Sequence, residues 1–353
     1  MEKMVDLSYF KNKKVFITGH TGFKGSWLSY LLDSSGAIVK GYSLNPNTDP
    51  CLFTRLTFSN KFSSIIGDIR DYDLLEREVN NFQPDLIFHL AAQPIVLSSY
   101  EDPKYTNEVN FNGTLNLLEV IRKNLANSIS IFITTDKVYQ NFDKEVKFKE
   151  NDRLGGFDPY SSSKASSELL IQSYYKSFFK DTKNMIATAR AGNVIGGGDW
   201  SKYRLFPDII RSCFEENILE IRNPNSVRPW QHVLDPLFGY LALSLKLSTR
   251  DTKYCDGWNF GPESNLNNSV KEIIEIIKSK GINVKVSSPK KIYKEESKYL
   301  MLDITKAKDN LDWLPKWDTK VSIYKTIDWY QRFYANHDVN ELMKQNIKEY
   351  INT

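Results

Sequence analysis

The sequence predicts an α/β fold, in which a doubly wound parallel sheet is followed by a smaller C-terminal domain. Short apolar runs alternate with segments of helical periodicity along the first half of the chain, and this alternation stops after Arg190. Strands that alternate with helices are joined by right-handed crossovers, which produce a parallel sheet covered on both faces. The 353 residues, 41% of them hydrophobic, are enough for about two domains with their own cores.

The first strand is predicted at Lys14–Thr18, an apolar run that ends at Gly19. A helix follows, because apolar side chains from Trp27 to Leu32 recur at helical spacing before Gly36. Short apolar runs predict five further buried strands at Ala37–Tyr42, Phe62–Ile66, Leu86–Leu90, Ile129–Thr134 and Met185–Ala189.

The two longest helices are predicted at Tyr105–Lys123 and Pro159–Tyr175. The second has a clear start, with Asp158 as the N-cap and Pro159 in the first helical position. Its register therefore fixes which side chains share a face.

Composition excludes several classes of protein. The net charge is +4, from 47 basic and 43 acidic residues, and basic clusters are too few for a nucleic-acid surface. Cys51, Cys213 and Cys255 are far apart, so we expect neither disulfides nor a zinc site. No segment has the apolar length of a signal peptide or a membrane span, which predicts a cytoplasmic protein without a membrane partner.

A glycine-rich turn joins the first strand to the first helix. Gly19, Gly22 and Gly25 leave room for the backbone to approach a pyrophosphate, whose charge would face the amides at the helix start. We therefore predict a Rossmann-type dinucleotide site that includes Thr21, Phe23 and Lys24 of the same turn. Residues that follow the third and fourth strands complete the predicted cofactor site: Asp68, Ile69, Leu90, Ala91, Ala92 and Gln93.

The segment Tyr42–Asn45 follows the second strand, where dinucleotide-binding proteins often place an acidic residue for the ribose. Neither an acid nor an arginine stands there. Because no basic group is available for a 2′-phosphate, we expect NAD as the cofactor.

The order of strands, helices and candidate site residues predicts two domains with different functions. Residues 1–192 and about 231–262 are predicted to form the NAD-binding domain, and about 193–230 with 263–353 the substrate domain.

Tyr160 and Lys164 lie four residues apart on a predicted helix, so both side chains leave the same face. An ammonium next to a phenol, helped by the positive nicotinamide ring, stabilises the phenolate, and we expect the two charges to lower the pKa of Tyr160. Tyr160 could then accept the proton of a sugar hydroxyl while hydride leaves the same carbon.

Thr135, Asp136 and Lys137 follow the fifth strand, and the carboxyl ends of parallel strands are where ligands bind. Thr135 could bind the hydroxyl that is oxidised, and Asp136 could protonate a leaving hydroxyl. Lys137 could act either as a base or as a cation that stabilises an enolate. These groups exceed what a simple dehydrogenase needs and point to dehydration.

At these residues the chain resembles the extended short-chain dehydrogenases/reductases, and among them the 4,6-dehydratases that act on CDP-glucose. Further segments carry this resemblance: Gly19–Trp27, Ala91–Pro94 with Ser99 and Tyr100, Arg190–Trp200, Arg228–Val233 and Leu302–Ala307 with Trp313. The relatives that act on dTDP-glucose and GDP-mannose have Glu in place of Lys137, so the lysine favours a CDP-sugar.

The resemblance implies a reaction that leaves NAD unchanged overall. Hydride leaves carbon 4 of the glucose unit, water is eliminated across carbons 5 and 6, and hydride returns to carbon 6 to give CDP-4-keto-6-deoxyglucose. It also implies a homodimer that pairs the two long helices. For the substrate we propose Arg204 and Arg228 as diphosphate ligands, with Asn193 as an amide donor and His232 within reach.

Two other functions stay open from the sequence. A nucleotide-sugar 4-epimerase shares the glycine turn, Tyr160 and Lys164 but needs no acid for a leaving hydroxyl. An NAD-binding regulator without catalysis would not need Thr135, Tyr160 and Lys164 together. No grouping of His with carboxylates suggests a metal site.

Overall fold

The computed structural model describes residues 5–215, 218–221, 227–263, 268–282, 284–287 and 299–353. Its centre is a seven-stranded sheet in which every neighbouring pair is parallel. The strands are β1 Lys14–Thr18, β2 Ile38–Ser43, β3 Phe62–Ile66, β4 Leu86–His89, β5 Ile129–Ile133, β6 Met185–Ala191 and β7 Gly257–Phe260. In space they follow the order β7-β6-β5-β4-β1-β2-β3, which confirms the predicted doubly wound, Rossmann-type sheet.

Helices lie between and after these strands. In the described residues they are α1 Phe23–Ser34, α2 Tyr72–Phe82, α3 Val96–Glu101, α4 Pro103–Asn107, α5 Gly113–Asn124, α6 Pro159–Tyr174, α7 Leu205–Phe214, α8 Leu234–Ser248, α9 Val270–Lys278, α10 Thr305–Leu311, α11 Thr319–Tyr334 and α12 Val339–Asn352. Short 3-10 turns occupy Leu7–Phe10, Phe53–Arg55, Asp136–Val138 and Thr252–Tyr254, and π-helical turns occupy Glu108–Asn112 and Tyr175–Phe179.

Short strands outside the main sheet form four pairs among the described residues. Three are parallel: Asn193–Ile195 with Trp230–His232, Leu219–Glu220 with Val286–Ser287, and Lys147–Phe148 with Met301–Leu302. The pair Val227–Arg228 with Asn268–Ser269 is antiparallel.

The start of α6 confirms the sequence prediction. Asp158 is the N-cap and its carboxylate accepts a hydrogen bond of 2.9 Å from the amide of Ser161, while Pro159 occupies the first turn. The other long helix, predicted at Tyr105–Lys123, is α4 and α5 joined by the π-helical turn Glu108–Asn112. A π turn shifts the register of the side chains that follow it.

The sheet is buried on both faces, as parallel sheets are. In β1, Val15 and Ile17 pack into one apolar cluster and Phe16 into another. The same alternation recurs in β4, where Phe88 belongs to the first cluster and Ile87 to the second. This rigid sheet holds the loops at its carboxyl edge in fixed positions.

A third apolar cluster lies apart from the sheet and is built from segments that follow Asn193, among them Ile209, Trp230, Ile273 and Ile323. On this cluster we base our proposal that the chain has the two domains predicted from the sequence. No helix among the described residues has both the length and the apolar character needed to cross a membrane.

Candidate active site

A cleft of about 1500 Å³ opens at the carboxyl ends of the strands, where the strand order reverses between β1 and β4. Every residue that the sequence assigns to catalysis or to the cofactor lines this cleft, and so do Asn193 and Arg204. The fold therefore gathers side chains from the glycine turn, β5, α6 and the loop before α7 around one space.

The glycine turn is shaped by close backbone contacts. Gly19 has φ +77°, and a Cβ on it would lie 2.7 Å from the amide nitrogen of Ala91. A Cβ on Gly25 would overlap the carbonyl oxygen of Gly19. Gly22 is the N-cap of α1 and provides no side-chain hydrogen bond. The first-turn amides of α1 have no intrahelical acceptor, so the turn offers amide donors and a positive helix end to an anionic group.

The far end of the cleft lies beyond β2. Thr21 and Ser43 bond to each other through their hydroxyls at 2.8 Å, and the Tyr42 hydroxyl donates to the carbonyl oxygen of Asp68 at 2.8 Å. Hydrogen bonds from Arg70 lower the pKa of the Asp68 carboxyl. The described cleft residues at this end, within 42–50 and 67–69, include no lysine or arginine. This surface suits neutral ribose hydroxyls better than a second phosphate.

Tyr160 and Lys164 lie on the first turns of α6 and are 7% and 5% exposed. The Lys164 ammonium lies 3.5 Å from the carbonyl oxygen of Ile133 at the end of β5, and burial lowers the pKa of Lys164 to about 8. Burial also raises the pKa of the Tyr160 phenol to about 12, against the effect of a hydrogen bond with Thr135. In the protein by itself, removing the phenolate from water outweighs the nearby positive charges. The lowering predicted from the sequence includes the charge of a bound nicotinamide and stays a prediction.

Thr135, Asp136 and Lys137 form the turn that follows β5. The Thr135 hydroxyl donates to Oδ1 of Asp136 at 2.9 Å, and the Lys137 ammonium lies 3.7 Å from the same oxygen. Asp136 is 1% exposed, yet its Oδ2 has no hydrogen-bond partner. A Cβ placed on Gly192 would lie 3.0 Å from that oxygen, so the missing side chain of Gly192 leaves room for the carboxylate. A buried carboxylate oxygen without a partner is costly unless a ligand or a proton satisfies it.

Lys24 brings another positive charge to the cleft from the first turn of α1. Its ammonium donates to the Tyr240 hydroxyl at 3.3 Å. Burial lowers the pKa of Lys24 to about 7, and the charge of Arg204 acts in the same direction. The charge of Arg204, on the predicted substrate side of the cleft, therefore acts on Lys24 in the cofactor turn.

The predicted substrate residues fall into three groups. Asn193 lines the cleft, and its buried Nδ2 has no hydrogen-bond partner. Arg204 lines it too and forms an ion pair of 3.0 Å with Asp199. The side chain of Arg228 lies outside the described residues.

His232 requires a correction, because the structure does not bring it to the cleft. It is 0% exposed and packs edge-on against Trp27 and Trp317, with ring centroids 5.9 and 4.7 Å away. Burial lowers its pKa to about 3. His232 belongs to the core beneath the site, where a neutral imidazole fills space between aromatic rings.

Asn110 supports the site but was not identified from the sequence. It lies in the π-helical turn between α4 and α5 and is 0% exposed. Its amide accepts from the backbone amide of Gln93 at 2.9 Å and donates to Ser163 at 2.9 Å. It thereby ties the loop after β4 to the helix that carries Tyr160 and Lys164. The only available sign was a polar residue on an otherwise buried helical face.

Comparisons with known proteins agree with this architecture. The profile of the family described as GDP-mannose 4,6 dehydratase matches residues 16–326. The CDP-glucose 4,6-dehydratase of Salmonella typhimurium is 40% identical over 354 residues, with 99% of each chain covered.

Solved structures share the fold. An epimerase from Methanothermobacter thermautotrophicus has a TM-score of 0.81 at 23% identity, with 96% of each chain covered. The UDP-glucuronic acid 4-epimerase of Bacillus cereus, in complex with UDP-glucuronic acid and NAD, has a TM-score of 0.78 at 25% identity and covers 91% of this chain and 100% of its own. The family profile and the relative of 40% identity show that this chain belongs to the GDP-mannose 4,6 dehydratase family, within the extended short-chain dehydrogenases/reductases.

Proposed function

We propose that the protein is an NAD-dependent hydro-lyase that converts CDP-glucose to CDP-4-keto-6-deoxyglucose. The observation that carries this proposal is the carboxylate of Asp136, buried with one oxygen free of partners in the cleft that Tyr160 and Lys164 line. The 40% identity to a CDP-glucose 4,6-dehydratase over 99% of both chains supports the same activity.

The residues of the glycine turn fit NAD. The uncapped start of α1 and the close backbone contacts at Gly19 and Gly25 form a cradle for a pyrophosphate. Asp68 and Ile69 would lie along the adenosine, and Leu90–Gln93 along the nicotinamide half. When bound, NAD would accept hydride from carbon 4 of the sugar and return it to carbon 6.

Tyr160 removes the proton of the carbon 4 hydroxyl in this proposal. A buried phenol with a raised pKa holds its proton at neutral pH, so positive charge must stabilise the phenolate. Lys164, one helical turn further along α6, supplies an ammonium from the same face. Thr135, which hydrogen-bonds to the phenol, is placed to bind the same sugar hydroxyl.

Asp136 and Lys137 carry out the elimination. Once carbon 4 is a ketone, the proton on carbon 5 is acidic, and its loss leaves negative charge on the ketone oxygen. Lys137 forms an ion pair with Asp136, and a protonated lysine donates. We therefore assign Lys137 to stabilising the enolate while water carries the carbon 5 proton. Asp136 acts in its protonated form, with the proton on Oδ2, which has no other partner, and donates that proton to the departing carbon 6 hydroxyl, which leaves as water. The proton released from carbon 5 returns through water to Asp136, and the proton held by Tyr160 passes to carbon 5 when carbon 6 is reduced.

Arg204 and Asn193 are our candidates for substrate binding. A guanidinium matches phosphate oxygens, and Arg204 lines the cleft with a third of its side chain exposed. The unpaired amide of Asn193 needs an acceptor. Arg228 keeps its predicted role as a second diphosphate ligand.

The test of this function is product analysis. The purified protein, with NAD, is incubated separately with CDP-glucose and with dTDP-, UDP- and GDP-hexoses, and the products are analysed by mass spectrometry. Loss of one water from CDP-glucose alone supports the proposal. An isomer of unchanged mass would instead identify a 4-epimerase. If no sugar is converted, the NAD-binding regulator without catalysis is the alternative that remains.

Tyr160→Phe is the matched control, because it removes one hydroxyl from a side chain that is already buried. The variant should bind NAD as the parent does but form no product. Normal turnover by Tyr160→Phe would contradict the assigned base.

A homodimer is also part of the proposal. We place its interface on two long helices: α4 with α5, and α6. Leu169 on α6 is 56% exposed, and Phe178 in the π-helical turn that follows α6 is 49% exposed, so apolar surface is available there. Analytical ultracentrifugation that finds only monomer would reject the dimer. We retain a cytoplasmic location as a prediction from the sequence.

A further inference from the structure

A buried ion pair lies directly beneath the cleft. Glu168 on α6 is 0% exposed and Arg190 on β6 is 1% exposed. Nε of Arg190 donates to one carboxylate oxygen at 2.9 Å and its terminal nitrogen donates to the other at 3.0 Å. Such a bidentate pair fixes the relative position of its two elements, here a helix and a strand.

The same pair is connected to both sides of the turn that holds Asp136. Thr134, two residues before Asp136, donates to Glu168 at 2.6 Å. Arg190 donates to the hydroxyl of Tyr139, three residues after Asp136, at 2.7 Å. Thr188 supplies a further hydrogen bond to Glu168 at 2.8 Å. Both carboxylate oxygens of Glu168 therefore accept hydrogen bonds. Through the bond from Thr134, Glu168 joins the end of β5 to α6.

Glu168 also lies one helical turn after Lys164 on α6, as Lys164 lies one turn after Tyr160. We propose that Glu168 is a positioning residue of the reaction, which holds the Lys164 ammonium and the turn carrying Asp136 in their working arrangement. This inference rests on the proposed function. Glu168 does not line the cleft, so it acts through these neighbours and not on the substrate.

The charges around Lys164 support the assignment. Burial lowers the pKa of Lys164, and the charge of Glu168 acts against that lowering. From β4, His89 is buried and its pKa is lowered to about 3, so it is neutral. From α1, Lys24 is a like charge, and Tyr160 on the same helix is neutral when protonated. From β6, Arg190 is a further like charge and is bound to both oxygens of Glu168. Glu168 is the acidic group that acts against the lowering of the Lys164 pKa, and its loss favours the neutral amine.

The test is Glu168→Gln in the full chain, assayed with NAD and CDP-glucose across pH. A neutral Lys164 no longer stabilises the phenolate, so the alkaline limb of the kcat profile should move down by about one pH unit from the pKa of about 8. The fall in kcat should then be about twofold at pH 7 and approach about tenfold near pH 9. KM should change by less than about twofold, because the substrate contacts remain. A folded variant with the parent's pH profile would overturn the proposal.

A second variant guards against unfolding, because Glu168→Gln leaves Arg190 buried without its counter-ion. The double variant Glu168→Gln with Arg190→Gln removes both charges, so the alkaline limb should move in the same direction but by less than in Glu168→Gln, because a like charge near Lys164 is lost as well. Asp235→Asn is the matched control: it also neutralises a fully buried carboxylate, but one outside the cleft, and its pH profile should equal that of the parent. The parent is assayed first. If the parent does not dehydrate CDP-glucose, the proposed function is refuted, and this result is distinct from any difference between the parent and its variants.

Discussion

Asp136→Asn tests the central step of the proposed reaction. Asparagine has nearly the shape of aspartate, so its amide oxygen can still accept from Thr135, which now lies 2.9 Å from Oδ1. What the variant loses is a transferable proton on the oxygen that has no partner. A positioned general acid contributes about 10²- to 10⁴-fold to a rate, and each factor of ten corresponds to about 1.4 kcal/mol. We therefore expect the barrier to water loss to rise by about 3 to 5 kcal/mol.

The expected signature is a stalled reaction and not an inactive protein. Oxidation at carbon 4 does not need Asp136, so mixing the variant with NAD and CDP-glucose should produce the absorbance of bound NADH without a dehydrated product. Asp318→Asn is the control, because Asp318 is the N-cap of α11, asparagine also serves as an N-cap, and Asp318 does not line the cleft. Turnover of Asp136→Asn within about twofold of the parent would refute the assignment of the acid.

Three further predictions follow from the described contacts. Because burial lowers the pKa of Lys164 to about 8, kcat should fall above that pH by about tenfold per pH unit; a rate that stays level to pH 9 would contradict this. Gly25→Ala should abolish NAD binding in a calorimetric titration, since its Cβ would overlap the backbone of Gly19, whereas Gly261→Ala, which meets side-chain atoms at 3.5 Å or more, should bind normally. Burial raises the pKa of Asp235 from 3.8 to about 7, so the parent should lose stability as pH rises from about 4 to about 7. Asp235→Asn should lack that loss and unfold with a free energy up to about 4 kcal/mol higher at pH 8, and equal pH dependence in denaturant titrations would contradict it.

Much of the fold follows from local patterns. Six of the strands were predicted from apolar runs, and the start of α6 from Asp158 and Pro159, because burial on both faces and helix capping leave direct marks in the sequence. The seventh strand, Gly257–Phe260, was not predicted. Its four residues carry no periodicity, and its strand conformation depends on pairing with β6. A strand that short is decided by its neighbours.

The site shows the same limit at the level of side chains. Spacing on one helix placed Tyr160 beside Lys164, but no spacing could show that His232 is enclosed by Trp27 and Trp317, since those rings come from distant segments. The rise in the pKa of Tyr160 that burial causes could not be predicted for a related reason. Desolvation depends on everything packed around the phenol, whereas the sequence reveals only the nearest charge.

Burial of the catalytic groups has a consequence for how the reaction is controlled. In the protein by itself, burial raises the pKa of Tyr160 to about 12 and lowers that of Lys164 to about 8, so both groups are pushed toward their neutral forms. Positive charge brought close to the phenol would offset this effect, since it stabilises a phenolate. The phenol therefore gives up its proton less readily in the protein by itself than it would with positive charge beside it. Proton transfer by Tyr160 is then fastest when substrate and cofactor are both bound. This suits a reaction whose unsaturated intermediate is reactive and has to stay in the site.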